Sequence, residues 1–453
     1  MPAMKTSLST QALQGPIARL RRANVAFARR YPGDSADRQP VHTVYGGAQL
    51  FEASSARKLG EIALRTLRDH APDAHTLGNA LGLPRELAAR VHPRVMAKLE
   101  REAVEDFRID FEDGYGHRPD DEEDTDAVRT AAEVARGLAE GSLPPFIGIR
   151  IKPLSGELYL RSLRTLDLFV TALALHTKGK LAPNFVITIP KVTIPEHVST
   201  VSTLAGALER KLRLPRGVLK LELMVETPQS IFNEEGRAAL RALVAEGGGR
   251  VRGAHFGTYD YTASCNITAA HQSMTHPACD FAKHVMQVGL AASGVTLSDG
   301  ATNIMPVVPH RAVPGGAELS DEQLRKNRAA IHRAWKIHFD HVRHSLVHAF
   351  YQGWDLHPAQ LPTRYAAVYS FFLEGLDAAK HRLRGFTEKA AQATLLGDVF
   401  DDAATGQGLL NFFLRGMSCG AITAEEASET GLSLEEMQTR SFLKILERRR
   451  ARA

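Results

Sequence analysis

The sequence predicts an α/β protein: a TIM (β/α)8 barrel with a helical C-terminal module. Three observations carry this. Eight short β-branched runs alternate with longer stretches of helical patterning, as in a parallel sheet with crossover helices. The first strand–helix turn has no GxGxxG phosphate fingerprint, so the doubly wound open sheet loses its usual support. After about residue 365 the strand-like runs stop, and Ala-, Leu- and charge-rich helical sequence takes over. The expected division is a basic N-terminal arm over 1–40, a catalytic barrel over 41–365 and a helical module over 366–453.

In chain order the expected strands are VHTVYGGA (41–48), DFRIDFED (106–113), FIGIRIK (146–152), NFVITIPK (184–191), KLELMVE (220–226), VRGAHFGTYD (251–260), GVTLSDGA (294–301) and FYQGWDLH (350–357). Between them lie helical segments, one marked by capping-box spacing from Ser320 to Gln323. The same spacing recurs in the C-terminal module at Thr423 to Glu426 and Ser433 to Glu436, where Gly406, Gly408, Gly416 and Gly420 divide short helices.

At 453 residues, 44% apolar and 24% charged, the chain has the make-up of a soluble globular protein. No apolar run reaches the roughly 18–20 residues of a bilayer span, so no membrane partner is expected. Net charge is +5, with 51 acidic residues interspersed among 56 basic ones. The basic excess gathers at the ends. Lys5, Arg19, Arg21, Arg22, Arg29 and Arg30 precede the first acid, Asp34, and Arg448, Arg449, Arg450 and Arg452 close the chain. Without interleaved aromatics or zinc-finger spacing these ends read as solvated arms, and no nucleic-acid partner is expected. Cys265, Cys279 and Cys419 form neither a disulfide framework nor a CxxC site, which points to a reducing cytoplasm.

Function is carried by the carboxylates. Alternate strand side chains share a face, so Arg108, Asp110 and Glu112 point opposite to Ile109 and Phe111. Gly148, Arg150 and Lys152 likewise oppose Ile147, Ile149 and Ile151, and Glu222, Met224 and Glu226 oppose Leu221, Leu223 and Val225. The polar sets face the barrel axis. Glu112, Asp113, Glu226 and Asp260 then come to the C-terminal rim, where active sites of such barrels lie. Glu222 lies deeper and is read as a structural partner of Arg108, Arg150 or Lys152. Carboxylates from different strands, without an equal number of cations, suit a hard divalent ion, and Mg²⁺ takes one or two of them plus water and substrate oxygens.

IDFEDGYG, GIRIK, TIPKV, LMVETPQSIF, HFGTYDY and WDLHPAQL occur in that order over roughly residues 106 to 361. They resemble the strand-end motifs of the HpcH/HpaI aldolase/citrate lyase group, to which the citrate lyase β-subunit and malyl-CoA lyase belong. The resemblance implies Mg²⁺, or Mn²⁺ in its place, on Glu226 and Asp260. It implies substrate contacts from Arg150, Lys191 and Thr258, with Glu112 or Asp113 orienting metal-bound water and the arginine. Lys152 stands where the group usually has Asn.

The implied activity is a metal-dependent C–C lyase or aldolase on a small 2-oxo or β-hydroxy acid, free or as a CoA thioester, in a homo-oligomer. The alternatives are a malate-synthase-like condensation or phosphoenolpyruvate-type enolate chemistry, and a non-catalytic barrel binding a metabolite or RNA. Asp398, Asp401 and Asp402 are candidates for the general base. His357 is read as a structural imidazole, His341, His344 and His348 as packing residues of an outer helix, and Ser264 and Cys265 as rim lining.

Overall fold

The computed structural model describes residues 7–33, 35, 37–312, 318–388, 394–396, 399–401 and 403–452. Eight parallel strands close into a barrel in chain order. They are β1 (His42–Gly47), β2 (Asp106–Asp110), β3 (Phe146–Arg150), β4 (Phe185–Ile189), β5 (Lys220–Val225), β6 (Val251–Phe256), β7 (Thr296–Ala301) and β8 (Gln352–Asp355). Each expected run holds a strand. Seven end early, because the residues carrying the rim chemistry, such as Phe111–Asp113, belong to the loops that follow.

The register confirms the expected faces. Asp110 pairs with Arg150 and Arg108 with Gly148, so these side chains point together toward the axis. Ile109, Ile147, Ile149, Ile151 and Leu221 point outward and are fully buried beneath the helices. They belong to one contiguous core that runs on through Leu376, Phe386 and Phe413 to Ile445, so the C-terminal helices continue the hydrophobic layer packed around the barrel. The helix Leu361–Glu388 runs unbroken across position 365. The three capping boxes read from the sequence, at Ser320, Thr423 and Ser433, are all formed.

The lower barrel is filled by a polar network, where such barrels usually hold branched aliphatics. Arg108 pairs with Asp106 and donates to Glu222 Oε2 at 3.2 Å, while Thr188 donates to Glu222 Oε1 at 2.9 Å. This is the structural partnership expected for Glu222. Above it lies an aromatic layer, with Tyr45 and Trp354 at 4.4 Å between ring centroids and His255 edge-on to both. Arg150 lies over Tyr45 and Trp354 at 4.7 and 5.4 Å.

The N-terminal arm contains a 21-residue helix, α1 (Thr10–Arg30), capped by Ser9. Among the described residues no helix is long and apolar enough to cross a membrane.

Candidate active site

Loops at the C-terminal ends of β2 to β6 bound a cleft of about 910 Å³. Glu112, Asp113, Lys191, Glu226 and Asp260 all line it, together with Lys152, His117, Ser155 and His197. The rim residues named from the sequence therefore meet in one place.

Glu226 follows β5 and is 2% exposed. Its Oε1 accepts the Lys191 backbone N–H at 2.7 Å. Lys191 presents that N–H from a left-handed backbone, φ 48°, a conformation disfavoured for a non-glycine residue and here held by the carboxylate. The other oxygen faces the backbone of Gly257, where an added Cβ would lie 2.4 Å from Oε2. Only glycine allows that approach. Burial, and then the charge of Asp260, push Glu226 up to about 8.

Asp260 lies in the first turn of the helix Thr258–Ser264, which follows β6 directly. The side chain of Lys191 crosses the cleft floor. Its ammonium bonds Glu112 Oε1 and stands 3.4 Å from Asp113 and 3.7 Å from Asp260. Burial works against that charge, but Glu112, Asp260 and Glu226 hold it above the ordinary lysine range.

Arg150 lies beneath the floor, 2% exposed. Its Nε and Nη2 grip Asp110 at 2.7 and 2.5 Å, and Nη1 stands 3.0 Å from Glu112. Asp110 also accepts the N–H groups of Glu112 and Gly114 at 3.0 and 2.7 Å. The β2–helix loop is thus moulded around one bidentate pair, and the guanidinium expected to hold substrate is committed to shaping that loop.

Thr258 is not part of the cleft lining. It is 2% exposed, with Oγ1 toward Gly300 and no hydrogen-bond partner. Lys152 reaches the lining but is tied to Phe111 O at 2.6 Å, Gly116 O at 3.2 Å and Glu123 at 3.1 Å. Asp398 and Asp402 lie outside the described residues. Asp401 ends the short strand Val399–Asp401, paired with Thr394–Leu396.

His357 accepts the Ala359 N–H at 3.1 Å, as expected of a structural imidazole. His341, His344 and His348 bond Thr302, Asp280 and the His344 carbonyl on an outer helix. Among the cleft residues that sequence reasoning missed are His117, Ser155 and His197. Each follows a recognised motif by a few positions, in GYGH, IKPLS and IPKVTIPEH, so a scan of the loops beyond the motifs would have found them.

Among the described residues no three His, Cys, Asp or Glu side chains already converge as a metal cluster. The donor set nonetheless fits a hard divalent cation. Two carboxylates from consecutive β-α loops share one cleft, and among the described residues the more buried of them, Glu226, forms no side-chain ion pair, the charge of Arg150 offsetting its burial only in part.

A family model, described as "Domain of unknown function (DUF6986)", matches residues 20–445. The chain belongs to the DUF6986 family. No curated protein matches this DUF6986 chain. Its fold is similar to that of a citrate lyase from Burkholderia xenovorans LB400, at 17% identity and TM-score 0.56, over 88% of this chain and 97% of that one. A looser likeness, TM-score 0.44 at 16% identity, is to CitE from Mycobacterium tuberculosis in complex with magnesium, acetoacetate and coenzyme A, over 85% and 100% of the chains. Haloferax volcanii malate synthase follows at 0.43 and 15%, over 79% and 87%. The citrate lyase match extends the motif resemblance to the level of fold.

Proposed function

We propose that this DUF6986 protein is a divalent-metal-dependent C–C lyase or aldolase acting on a small 2-oxo or β-hydroxy acid. One observation carries the reading. Glu226 is buried beside Asp260 at the active-site end of the barrel, and the charge of Arg150 and the Lys191 backbone N–H offset that burial only in part. An under-compensated buried carboxylate is costly unless a cation completes it. The motif order shared with the citrate lyase group supports the same assignment.

Glu226 and Asp260 would hold Mg²⁺. When bound, Mg²⁺ polarises a carbonyl and stabilises the enolate or alkoxide that forms as a C–C bond breaks or closes. The protein's own residues supply the remainder. Lys191, partly exposed, offers the ammonium in the cleft that an anionic substrate can draw away from Glu112. Arg150 acts through Asp110 and Glu112, fixing their orientation without reaching the substrate. Arg150 is therefore a positioning residue, and Lys191 takes over the substrate contact expected of it.

Mn²⁺ titration followed by electron paramagnetic resonance tests the reading directly. Wild-type protein should bind about one ion, and Glu226→Gln and Asp260→Asn should weaken binding at least about 100-fold, or about 2.7 kcal/mol. The same variants should lose metal-dependent cleavage in a screen of 2-oxo and β-hydroxy acids. Full activity in EDTA would rule the mechanism out.

A further inference from the structure

Every described side chain from Gln11 to Arg30 of α1 is exposed to solvent. In proteins most helical stability comes from packing an apolar face, and α1 also carries Gly15 and Pro16 in its interior, so a helix with no packed face calls for a partner. Its sequence specifies which. Leu13, Ile17, Leu20, Asn24 and Phe27 follow one another at alternating spacings of four and three residues. That places Ile17 and Asn24 at a positions of a heptad and Leu13, Leu20 and Phe27 at d positions. Ile17, Leu20 and Phe27 are 54, 60 and 63% exposed.

We infer that α1 pairs in parallel with α1 of a second copy of this chain, forming a short two-stranded coiled coil. Asn24 decides between this occupant and an anionic lipid surface. An amide in the middle of an apolar stripe would enter hydrocarbon without a hydrogen-bond partner. Across a parallel two-stranded seam the two facing amides bond each other and fix the register.

The arginines agree. Arg19, Arg22 and Arg29 fall at c and f, away from the seam. In a parallel pair Arg21, at e, falls opposite Pro16 of the other helix, and Arg30 ends the helix with no e position opposite it. No two arginines meet across the interface, although the helix contains no acid.

The anchor fits as well. Arg241 packs on the Tyr31 ring at 4.3 Å, and the Gly33 N–H bonds Ala292 O at 3.0 Å, just before β7. The helix therefore leaves from the N-terminal end of the barrel, and pairing keeps both catalytic clefts open. Pro16 removes one helix hydrogen bond, so dissociation in the micromolar range is expected.

Sedimentation equilibrium of the full chain between about 1 and 100 µM tests the pairing. The wild type should show reversible dimerisation, and the Leu13→Asp/Leu20→Asp double variant should weaken it at least about 100-fold. The thermal midpoint of its barrel should stay unchanged, since neither side chain packs on the barrel. In a Cys265→Ser background, Asn24→Cys should give a disulfide-linked dimer under mild oxidation, and Arg22→Cys, at f, should not. A wild type monomeric throughout, a dimer indifferent to the double variant, or equal cross-linking at 22 and 24 would overturn the inference. So would co-sedimentation with vesicles of phosphatidylcholine and phosphatidylserine without self-association.

Discussion

Two carboxylates at the ends of different barrel strands are almost equally buried and are treated in opposite ways. Asp355, at the end of β8 on the outer wall, is 1% exposed; Glu226, beyond β5 on the inner rim, is 2% exposed. Asp355 accepts from Arg364 at 2.8 and 3.1 Å and from His338 at 2.9 Å, with His42 at 3.5 Å. Burial opposes its charge, but Arg364 and His338 more than compensate and hold it far below the ordinary range. Glu226 has one backbone N–H, and burial beside Asp260 drives it up. The barrel can satisfy a buried carboxylate completely when the role is structural. One left under-compensated, in a cleft open to solvent, is the feature on which the proposed cation site rests.

The comparison breaks most sharply on stability. Asp355→Asn should cost about 3–5 kcal/mol in urea unfolding, because it strands the Arg364 guanidinium in the core. Glu226→Gln should be neutral or stabilising by about 1 kcal/mol in the metal-free protein, while abolishing the proposed metal affinity. Equal destabilisation by the two substitutions would erase the distinction between a structural and a functional carboxylate.

Acid should then expose the buried imidazoles. Burial lowers His42, His255 and His341 to about 4, and it also lowers His70, His197, His338 and His357. The unfolded chain takes up these protons near pH 6.5, whereas the folded chain refuses them until lower pH, so stability falls as pH drops through that window. Asp106, raised to about 6, Glu226, raised to about 8, and Glu112, raised by its burial, work the other way because their folded forms bind protons first. Seven imidazoles outweigh three carboxyls, and a decline of several kcal/mol between pH 7 and 4.5 is expected from urea titrations. A flat profile would contradict it. Replacing His255 by Phe should shallow the slope.

How far these features were legible follows from where regular geometry stops. Inside a strand, alternation places every side chain, so the faces of Arg108, Asp110, Arg150 and Glu222 could be read from the sequence. Past the strand end it fails. Lys152 lies beyond β3 and turns to Glu123 on the helix Asp120–Glu140, while Thr258 is drawn into a helix. What occupies a side chain is harder still to read. Arg150 is on the expected face, yet its claim by Asp110 depends on two strands meeting in register. The Asp355 knot left a fainter signal: His42 and Asp355 are polar residues at outward strand positions, where only apolar ones pack without partners. The heptad in α1 lies in a stretch read from the sequence only as a basic, solvated arm, and the exposure of the helix from Gln11 to Arg30 shows that the barrel does not use it.

The smallest expected effect concerns Lys191, which ties the two sides of the rim together. Its ammonium is partly exposed, so Lys191→Met should change stability by less than about 1 kcal/mol. Its backbone N–H to Glu226 survives the substitution. The charge, however, stands 3.7 Å from Asp260 and competes with any divalent ion sharing that carboxylate. Lys191→Met should therefore tighten Mn²⁺ binding several-fold while raising KM for an anionic substrate. Weaker binding of both would mean that Lys191 organises the carboxylates instead of competing for them, and a Lys191→Arg variant, which keeps the charge and enlarges the head group, would separate the two by restoring binding only in the organising case.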